Sequence, residues 1–400
     1  MVEEDTVMSG GGRGEAGGPG RPDGNRCADK PFHPYPVWTP RFWHGMTLPV
    51  WSGIVAEHRC RVAPSRLGLF TTISIVTLFN SVAAAVNTLV NGRRLEQPPV
   101  TPPPLFIIGH WRSGTTLLHE MLMLDERFCC PTTLQCMTPS HFLVTEWFLS
   151  PLVALLTPAK RPMDDVAAGP DRPQEDEFAL TNLGAPSPYR RMAFPATSPP
   201  QPQALDIAAL SPSDRGRWER AMRSFLAALA VRDPRRPILK SPPHTARMAV
   251  LAAMFPGARF LHVVRDPYVV FPSTTRLWRS MHHTQGLQID PETALEEYVF
   301  NAFDEMYTAF ERDRTRLPSG ALHEVRYEDL VADPVGTLEM AYAALGLEGF
   351  SALRPRLEAH LATTRGYRTN TYRHDPRIVA EVSRRWRGFI ERYGYRPPAV

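Results

Sequence analysis

A short glycine-rich segment carries the clearest signal for anion binding in this sequence. Residues 109–116 read Gly-His-Trp-Arg-Ser-Gly-Thr-Thr. The apolar run before them predicts a strand, and the residues after them predict a helix. Such a turn points backbone N–H groups and the helix dipole at one place, which suits a phosphate or a sulfate. The hydroxyls of Ser113, Thr115 and Thr116 add further donors.

The spacing of Gly109 and Gly114 is that of a Walker A loop, but Thr115 stands where that loop carries its lysine. In nucleoside triphosphatases the lysine reaches the phosphates, and the next Ser or Thr holds Mg²⁺. Arg112 supplies the positive charge instead, and no apolar strand that ends in Asp offers a partner for magnesium. We therefore expect a monoester phosphate beside a sulfate, bound without a metal. A glycine turn whose threonines only cap a helix is the alternative.

This loop resembles the phosphosulfate loop of the sulfotransferases that depend on 3′-phosphoadenosine 5′-phosphosulfate (PAPS). It has the Arg-bearing form of the broad, mostly bacterial branch. The resemblance covers about residues 104–345 and, weakly, the tail. It implies a P-loop-type fold and the transfer of a sulfuryl group from PAPS to a hydroxyl acceptor. The residues that it assigns to binding of PAPS in the loop are Gly109, Arg112, Ser113, Gly114, Thr115 and Thr116.

Two further motifs extend the resemblance toward the nucleotide. The family binds the 3′-phosphate with an Arg at a strand end and a Ser eight residues later, which match Arg265 and Ser273. Asp266 as N-cap and Pro267 at the first helical position start a helix there. Tyr327, in a Val-Arg-Tyr-Glu-Asp-Leu segment, matches the tyrosine that the family places near the adenine and the phosphosulfate. A core tyrosine at a strand end is the alternative.

Sulfuryl transfer to an alcohol needs cations for the leaving phosphate and a base for the hydroxyl proton. The first cation is Arg112, and the resemblance implies Lys240, one of only three lysines, as the second. The base stays open, because the family's histidine two residues after this lysine is replaced by Pro242. A partly dry carboxylate in the acidic run 175–177 could serve, although these acids could equally pair with arginines or cap a helix. The candidates, in order of preference, are Glu177 and Glu175 together, His244, and His141.

The elements that must position these residues alternate along the chain. Short apolar runs predict strands at Leu105–Gly109, Pro237–Lys240, Arg259–Val264 and Leu322–Tyr327. Helical periodicity follows at Thr115–Asp125, at Thr245–Phe255, from Pro267, and at Pro334–Leu345. This alternation predicts an α/β fold with three layers, in which helices flank a mainly parallel sheet.

We predict three segments along the chain. Residues 1–30 form a disordered Gly-rich tail without a signal peptide, 31–97 form a helical extension, and 104–396 form the catalytic domain. A proline-rich linker, 97–104, separates the last two. The loops 158–173 and 186–202 could form the walls of an acceptor cleft or be insertions without function.

The extension contains an uncharged stretch, Leu67–Val90, that is long enough to cross a bilayer. Threonine, serine and asparagine side chains dilute its hydrophobicity. Three placements therefore stay open, in order of preference: a helix packed on the protein, a helix in the membrane interface, and a true span.

The composition excludes some partners. A net charge of +4 without a run of five basic residues argues against nucleic acid. Five cysteines, two of them adjacent and none at metal-ligand spacing, predict reduced thiols and a cytoplasmic location, with peripheral membrane contact left open. Neither the oligomeric state nor the acceptor can be read from the sequence. A lipid, a carbohydrate and a small metabolite all fit, and the apolar helix favours a lipophilic acceptor.

Two other functions compete with sulfuryl transfer. A P-loop kinase of a small acceptor would need Mg-ATP and the loop lysine whose place Thr115 takes. A nucleotide-binding module without catalysis is the second alternative. The set of Arg112, Lys240, Arg265 and Ser273 argues against it.

Overall fold

Five parallel strands form one sheet in the order β2-β3-β1-β4-β5. The computed structural model describes residues 38–157, 169–289, 292, 294–363 and 375–399. The strands are β1 (Leu105–Ile108), β2 (Phe128–Cys129), β3 (Arg236–Lys240), β4 (Arg259–Val264) and β5 (Leu322–Arg326). The predicted α/β fold with a mainly parallel sheet is confirmed. The predicted tail 1–30 and most of the loop 158–173 lie outside the described residues.

Sixteen α-helices accompany the sheet within these described ranges. Two precede it, α1 (Leu48–Glu57) and α2 (Leu67–Glu96). Those between β1 and β4 are α3 (Thr115–Leu122), α4 (Thr133–Met137), α5 (Phe142–Leu156), α6 (Asp176–Asn182), α7 (Arg190–Ala193), α8 (Pro212–Arg232) and α9 (Met248–Met254). Those after β4 are α10 (Pro267–Gln285), α11 (Leu295–Arg314), α12 (Tyr327–Ala332), α13 (Pro334–Ala344), α14 (Phe350–Thr363), α15 (Pro376–Arg385) and α16 (Arg387–Tyr393).

The sheet separates two hydrophobic cores, because successive side chains of a strand point to opposite faces. In β1, Phe106 and Ile108 belong to the larger core, while Leu105 and Ile107 belong to the smaller one. All four are fully buried. The central strand therefore supports a layer on each face, as the three-layer prediction requires.

Helix α9 begins later than its apolar pattern predicts. The predicted helix starts at Thr245, but the structure has a 3₁₀ turn over Pro242–Ala246 and the helix only from Met248. Arg247, with φ −130° and ψ 11°, leaves the helical conformation between the two segments and keeps the first turn separate. The turn holds His244 and Thr245 at the edge of the sheet.

Helix α2 packs on the protein along a stripe that is mostly polar. Its buried side chains recur every three or four residues: Ile73, Thr77, Asn80, Ala83, Asn87 and Asn91. This stripe faces α1, α5, α8 and the short Phe42–Gly45 turn. By length and composition alone the helix from Pro64 to Glu96 could cross a membrane. One side of α2 packs on the protein, and whether the other side touches a membrane stays a prediction.

The Phe42–Gly45 turn connects α2 to the middle of the chain. The Asn80 side-chain amide donates to the carbonyl oxygens of His44 and Met46, at 2.6 and 2.8 Å. The Phe42 ring stacks on Phe178 of α6, with ring centroids 3.7 Å apart. The N-terminal extension therefore supports the helix that follows Glu175.

Candidate functional site

The residues predicted for catalysis and for PAPS follow the carboxyl ends of four neighbouring strands. Gly109 follows β1, Lys240 ends β3, Arg265 follows β4 and Tyr327 follows β5. Ligands of open parallel sheets bind in the crevice outside these ends. The sheet order thus brings together motifs that are far apart in the sequence.

Two glycines give the loop after β1 its shape. Gly109 and Gly114 have φ angles of 141° and 104°, which are costly for other residues. A Cβ atom on Gly109 would lie 2.6 Å from the Val263 carbonyl oxygen, and one on Gly114 would lie 2.3 Å from the Tyr327 ring. Arg112 also adopts a positive φ, of 67°. The loop is therefore tightly curved against β4 and against Tyr327.

Hydrogen bonds from neighbouring segments hold this loop in place. The Gly109 N–H donates to the Thr245 hydroxyl at 2.7 Å. The Thr274 hydroxyl donates to the Trp111 carbonyl oxygen at 3.1 Å. Sequence reasoning missed both threonines, because neither belongs to a motif and each contacts the loop only after the chain has folded.

Arg112, Arg265, Ser273 and Tyr327 lie in one cluster. The Arg112 Nε donates to the Ser273 hydroxyl at 3.0 Å, and the Arg265 Nη1 donates to the Arg112 carbonyl oxygen at 3.0 Å. The Arg265 guanidinium lies 4.0 Å from the Tyr327 ring centroid, within the range of a cation–π interaction. The structure thus joins the phosphosulfate loop to both residues of the second motif and to the tyrosine of the third.

The hydroxyl of Ser113 tests whether the loop fits an anion. It is buried and has no hydrogen-bond partner within the described ranges. Thr115 and Thr116 form the first turn of α3, whose backbone N–H groups lack partners inside the helix. A buried donor beside a helix N-terminus is suited to a phosphate or sulfate oxygen. The residues present therefore fit the group that the loop is predicted to bind.

A chain of hydrogen bonds leads from Lys240 back to the loop. The Lys240 ammonium lies 2.8 Å from Glu175 Oε1, and the Tyr189 hydroxyl donates to Glu175 Oε2. The Trp111 indole N–H donates to the Tyr189 oxygen at 3.1 Å. Burial and the nearby Glu175 raise the pKa of Tyr189 well above its usual value, so the hydroxyl remains a donor. Tyr189 lies in the loop 186–202 that the sequence offered as a cleft wall.

The other two members of the acidic run are enclosed. Both Glu177 oxygens are bonded, to Arg247 at 2.5 and 3.1 Å and to the Ser187 hydroxyl at 2.6 Å. Glu177 and Arg247 are completely buried. A carboxylate that is paired and hydrogen-bonded in this way has no open position for an acceptor hydroxyl. Of the two glutamates that the sequence ranked together, only Glu175 keeps contact with the predicted cation Lys240.

His244 forms a second buried pair. Its Nε2 lies 2.6 Å from Asp176 Oδ2, and the Ser241 hydroxyl donates to Asp176 Oδ1 at 2.8 Å. Burial alone would raise the pKa of Asp176, but the His244 ring and the Ser241 hydroxyl lower it below the usual value. His244 and Asp176 are both fully buried, and their contact connects α6 to the segment after β3.

The remaining candidate, His141, supports the extension. Its ring nitrogens lie 2.9 Å from the Thr145 hydroxyl and 3.2 Å from Asn80 Oδ1. Burial lowers the pKa of His141 to about 4. The ring is thus neutral at pH 7 and joins α5 to the polar stripe of α2.

Comparison with known proteins identifies the family. The sulfotransferase family matches residues 103–352. Two proteins named omega-hydroxy-beta-dihydromenaquinone-9 sulfotransferase Stf3, from Mycobacterium bovis and Mycobacterium tuberculosis, are 37% identical to the chain over 358 residues. The match spans 90% of this chain and 92% of each relative.

Solved structures agree on the fold. The crystal structure of sulfotransferase STF9 from Mycobacterium avium aligns with a TM-score of 0.60 at 17% identity, over 88% of this chain and 97% of that one. STF1 from Mycobacterium tuberculosis aligns with a TM-score of 0.57 at 16% identity, over 85% and 90%. The family match, the identity over nearly the whole length and the shared fold together establish that this chain belongs to the sulfotransferase family.

Proposed function

We propose that this sulfotransferase transfers the sulfuryl group of PAPS to a hydroxyl group on a lipid, with Glu175 as the general base. The observation that carries the proposal is the contact between Lys240 and Glu175 at the carboxyl end of β3. It puts a cation and a carboxylate together beside the anion-binding loop. The kinase alternative is set aside, because the family match and the 37% identical relatives are sulfotransferases.

The loop and the 265–273 segment would hold the PAPS nucleotide. Backbone N–H groups of 109–116, with the Ser113 hydroxyl, would bind the phosphosulfate. Arg265 and Ser273 would bind the 3′-phosphate, with the Arg as the charged partner and the Ser as a donor. Support comes from the Arg112–Ser273 hydrogen bond, which connects the two phosphate sites that the family motifs predict.

PAPS supplies a sulfuryl group whose leaving group is a phosphate. In the transfer, the acceptor oxygen forms a bond to sulfur as the bond from sulfur to the phosphate oxygen breaks. Glu175 would take the hydroxyl proton, while Lys240 and Arg112 would stabilise the charge that develops on the phosphate. Tyr189 would hold the carboxylate in position through its hydrogen bond. We expect that no metal takes part.

The lipid acceptor is inferred from the relatives. Their name describes an enzyme that acts on a hydroxylated menaquinone derivative. The match covers 92% of their length, and we therefore expect this chain to use the same class of acceptor. The test is incubation of the enzyme with PAPS and a hydroxylated menaquinone, a sugar or a small alcohol, followed by mass spectrometry for the sulfate ester. A sulfated sugar without a sulfated lipid would contradict the lipid proposal.

Calorimetric titration with 3′-phosphoadenosine 5′-phosphate, the expected product, in EDTA tests the nucleotide site. We expect metal-free binding that weakens about tenfold or more in Arg265→Ala, because one charge-assisted contact is lost. Ser273→Ala should weaken it less, and Lys240→Ala should mainly slow turnover. Unchanged binding and turnover in all three variants would reject the site, and binding of Mg-ATP alone would restore the kinase.

The cellular location follows from these proposals as a prediction. We expect a cytoplasmic enzyme that reaches its lipid at a membrane surface. Fractionation of cells into soluble and membrane material, with the activity measured in each, tests this expectation. An activity recovered outside the cytoplasm would contradict it.

A further inference from the structure

Helix α2 turns an apolar surface away from the protein. Ile75, Leu78, Val82 and Leu89 are 61%, 55%, 66% and 86% exposed. Their spacing of three, four and seven residues puts them on one side of the helix. Large apolar side chains that share one exposed side are unusual on a protein that contacts only water.

Within the described part of the chain, the opposite side of the helix makes the contacts with the protein. Asn80 holds the Phe42–Gly45 turn, as described above, and the Asn87 side-chain amide donates to the Ser140 carbonyl oxygen at 3.1 Å. The Asn91 amide donates to the Asn87 side-chain oxygen at 2.9 Å. The helix is thus reversed relative to an ordinary surface helix, with polar side chains inward and aliphatic side chains outward.

Helix α5 extends the apolar surface sideways. It packs beside α2, and its Trp147 and Leu155 are 79% and 81% exposed. The Phe148 ring lies between the two helices, with its centroid 6.5 Å from Phe79 and 5.0 Å from Trp147. We call this surface the outward apolar face; it consists of Ile75, Leu78, Val82, Leu89, Trp147 and Leu155.

The charges at the two ends of α2 are mostly positive, with Glu96, the last residue of the helix, as the exception. Arg59, Arg61 and Arg66 precede the helix, and Arg93 and Arg94 lie in its last turn. Residues 58–95 contain no aspartate or glutamate. Arginines at both ends of an apolar helix match the negative headgroups of an anionic lipid surface.

We propose that the outward apolar face docks the protein onto an anionic membrane, with α2 lying in the plane of the interface. A span across the bilayer would have to break the contacts that hold Asn80 and Asn87 on the protein. A second copy of the chain is a weaker candidate than a membrane for the partner of the outward apolar face. Pairing α2 with itself would bring the five arginines of each copy together, with Glu96 as the single acidic residue in each helix to neutralise them.

A chain of contacts connects α2 to the candidate base. Asn80 holds the Phe42–Gly45 turn, Phe42 stacks on Phe178, and the Phe178 ring lies 4.8 Å from Tyr189. Tyr189 in turn donates to Glu175. Docking would therefore bring the membrane to the side of the protein that supports Glu175. The inference goes beyond the proposed reaction and does not require it, since docking is measured without PAPS or turnover.

Sedimentation of the full chain with lipid vesicles tests the docking face. We expect binding to vesicles of phosphatidylcholine with phosphatidylglycerol and much weaker binding to phosphatidylcholine alone. The triple variant Ile75→Gln, Val82→Gln, Leu89→Gln should bind at least about tenfold more weakly. The matched control, Val331→Gln with Met340→Gln, changes side chains that are 50% and 60% exposed on α12 and α13, and it should bind like the parent.

Charge and depth are tested separately. Arg93→Gln with Arg94→Gln should reduce binding to the anionic vesicles by roughly tenfold, and added salt should reduce it in the parent. Brominated lipids should quench the fluorescence of Trp147, so that Trp147→Phe shows less quenching than the parent. Unchanged titration with 3′-phosphoadenosine 5′-phosphate will show that each variant is folded.

Two results would overturn the proposal. The first is equal binding of the parent and the triple variant to anionic vesicles. The second is a parent protein that does not bind vesicles and elutes as a dimer, while the triple variant elutes as a monomer. That outcome would assign the face to a second copy of the chain.

Discussion

Glu175, Asp176 and Glu177 are adjacent in the sequence, yet each has a different set of neighbours. Asp176 contacts Ser241 and His244, Glu177 is enclosed by Arg247, and Glu175 contacts Lys240. The acidic run therefore fastens α6 onto residues 240–247. The sequence offered this run, His244 and His141 as candidates for the base, and it could not distinguish the three acids, because these partners are more than sixty positions away.

The Glu175→Gln variant should separate catalysis from nucleotide binding. We expect turnover to fall by roughly a hundredfold to ten-thousandfold, because an amide cannot accept the hydroxyl proton. Binding of 3′-phosphoadenosine 5′-phosphate should stay within about twofold, since Glu175 is not assigned to the nucleotide. Single-turnover sulfation and calorimetry measure the two effects. A fully active Glu175→Gln enzyme would remove Glu175 from the mechanism, and Glu120→Gln, on the exposed side of α3, is the control.

At the scale of elements, the strands were easier to predict than the turns between them. β4 has the bounds that its apolar run predicts, Arg259–Val264, because a buried parallel strand is apolar on both faces. The delayed start of α9 and the pairing of α6 with residues 240–247 depend on tertiary contacts. The phosphosulfate loop could be predicted because its glycines encode the turn locally. The threonines that hold the loop could not.

Helix α2 shows where hydropathy is ambiguous. A long uncharged stretch is compatible with a core helix, an interfacial helix and a span. The structure adds the stripe of asparagines on the buried side of the helix, which bind backbone carbonyl groups of the Phe42–Gly45 turn and of Ser140. A hydropathy average does not show which side of the helix such a stripe occupies, because the average ignores the position of each residue around the helix axis.

Asn80→Ala measures how strongly this stripe attaches the helix. The variant leaves the carbonyl groups of His44 and Met46 without their buried donor, so we expect the free energy of unfolding to fall by about 2 kcal/mol. Urea titration followed by fluorescence gives the value. Thr88→Ala, in the same helix and exposed, should change stability by less than about 0.5 kcal/mol. Equal stabilities of the two variants would contradict the attachment.

At the scale of the whole molecule, the segment 375–399 returns to the sheet. Trp386 stacks on Phe303 with centroids 3.8 Å apart, and the Tyr268 hydroxyl lies 2.7 Å from that of Ser383. Beyond them, Tyr393 donates to Glu324 of β5, and Arg314 lies 2.8 Å from the same carboxylate. The weak resemblance of this tail gave no hint that it closes over α10, α11 and β5.

The carboxylate of Glu324 makes this closure sensitive to acid. Burial alone would raise its pKa, but hydrogen bonds from His262 and Tyr393 and the charge of Arg314 lower the pKa to about 2 from the usual 4.5. A lowered pKa stabilises the folded protein above about pH 4.5, and this contribution disappears as the pH falls toward 2. We expect it to be on the order of 2 kcal/mol, because water screens the partly exposed group.

Glu324→Gln should therefore lower stability most at neutral pH. The difference in the free energy of unfolding between the parent and the variant should shrink as the pH falls below about 4.5. Urea titrations at pH 7, 5 and 3 measure it. A difference that stays constant over this range would show that the carboxylate is not the titrating group. Glu391→Gln, an exposed glutamate of α16, is the control.

The Phe42–Gly45 turn has a consequence for the order in which the chain is made. The Trp43 indole N–H donates to the Gln285 carbonyl oxygen at 2.7 Å, across 242 positions of sequence. At translation rates of roughly 5–20 residues per second, the partner of Trp43 emerges from the ribosome about 10 to 50 s later. Within that interval α5 and then α8, which pack on α2, emerge only after α2 itself. The nascent chain thus presents its longest helix well before Lys240 and Gln285 are made, and a chaperone or a membrane surface would meet that helix first.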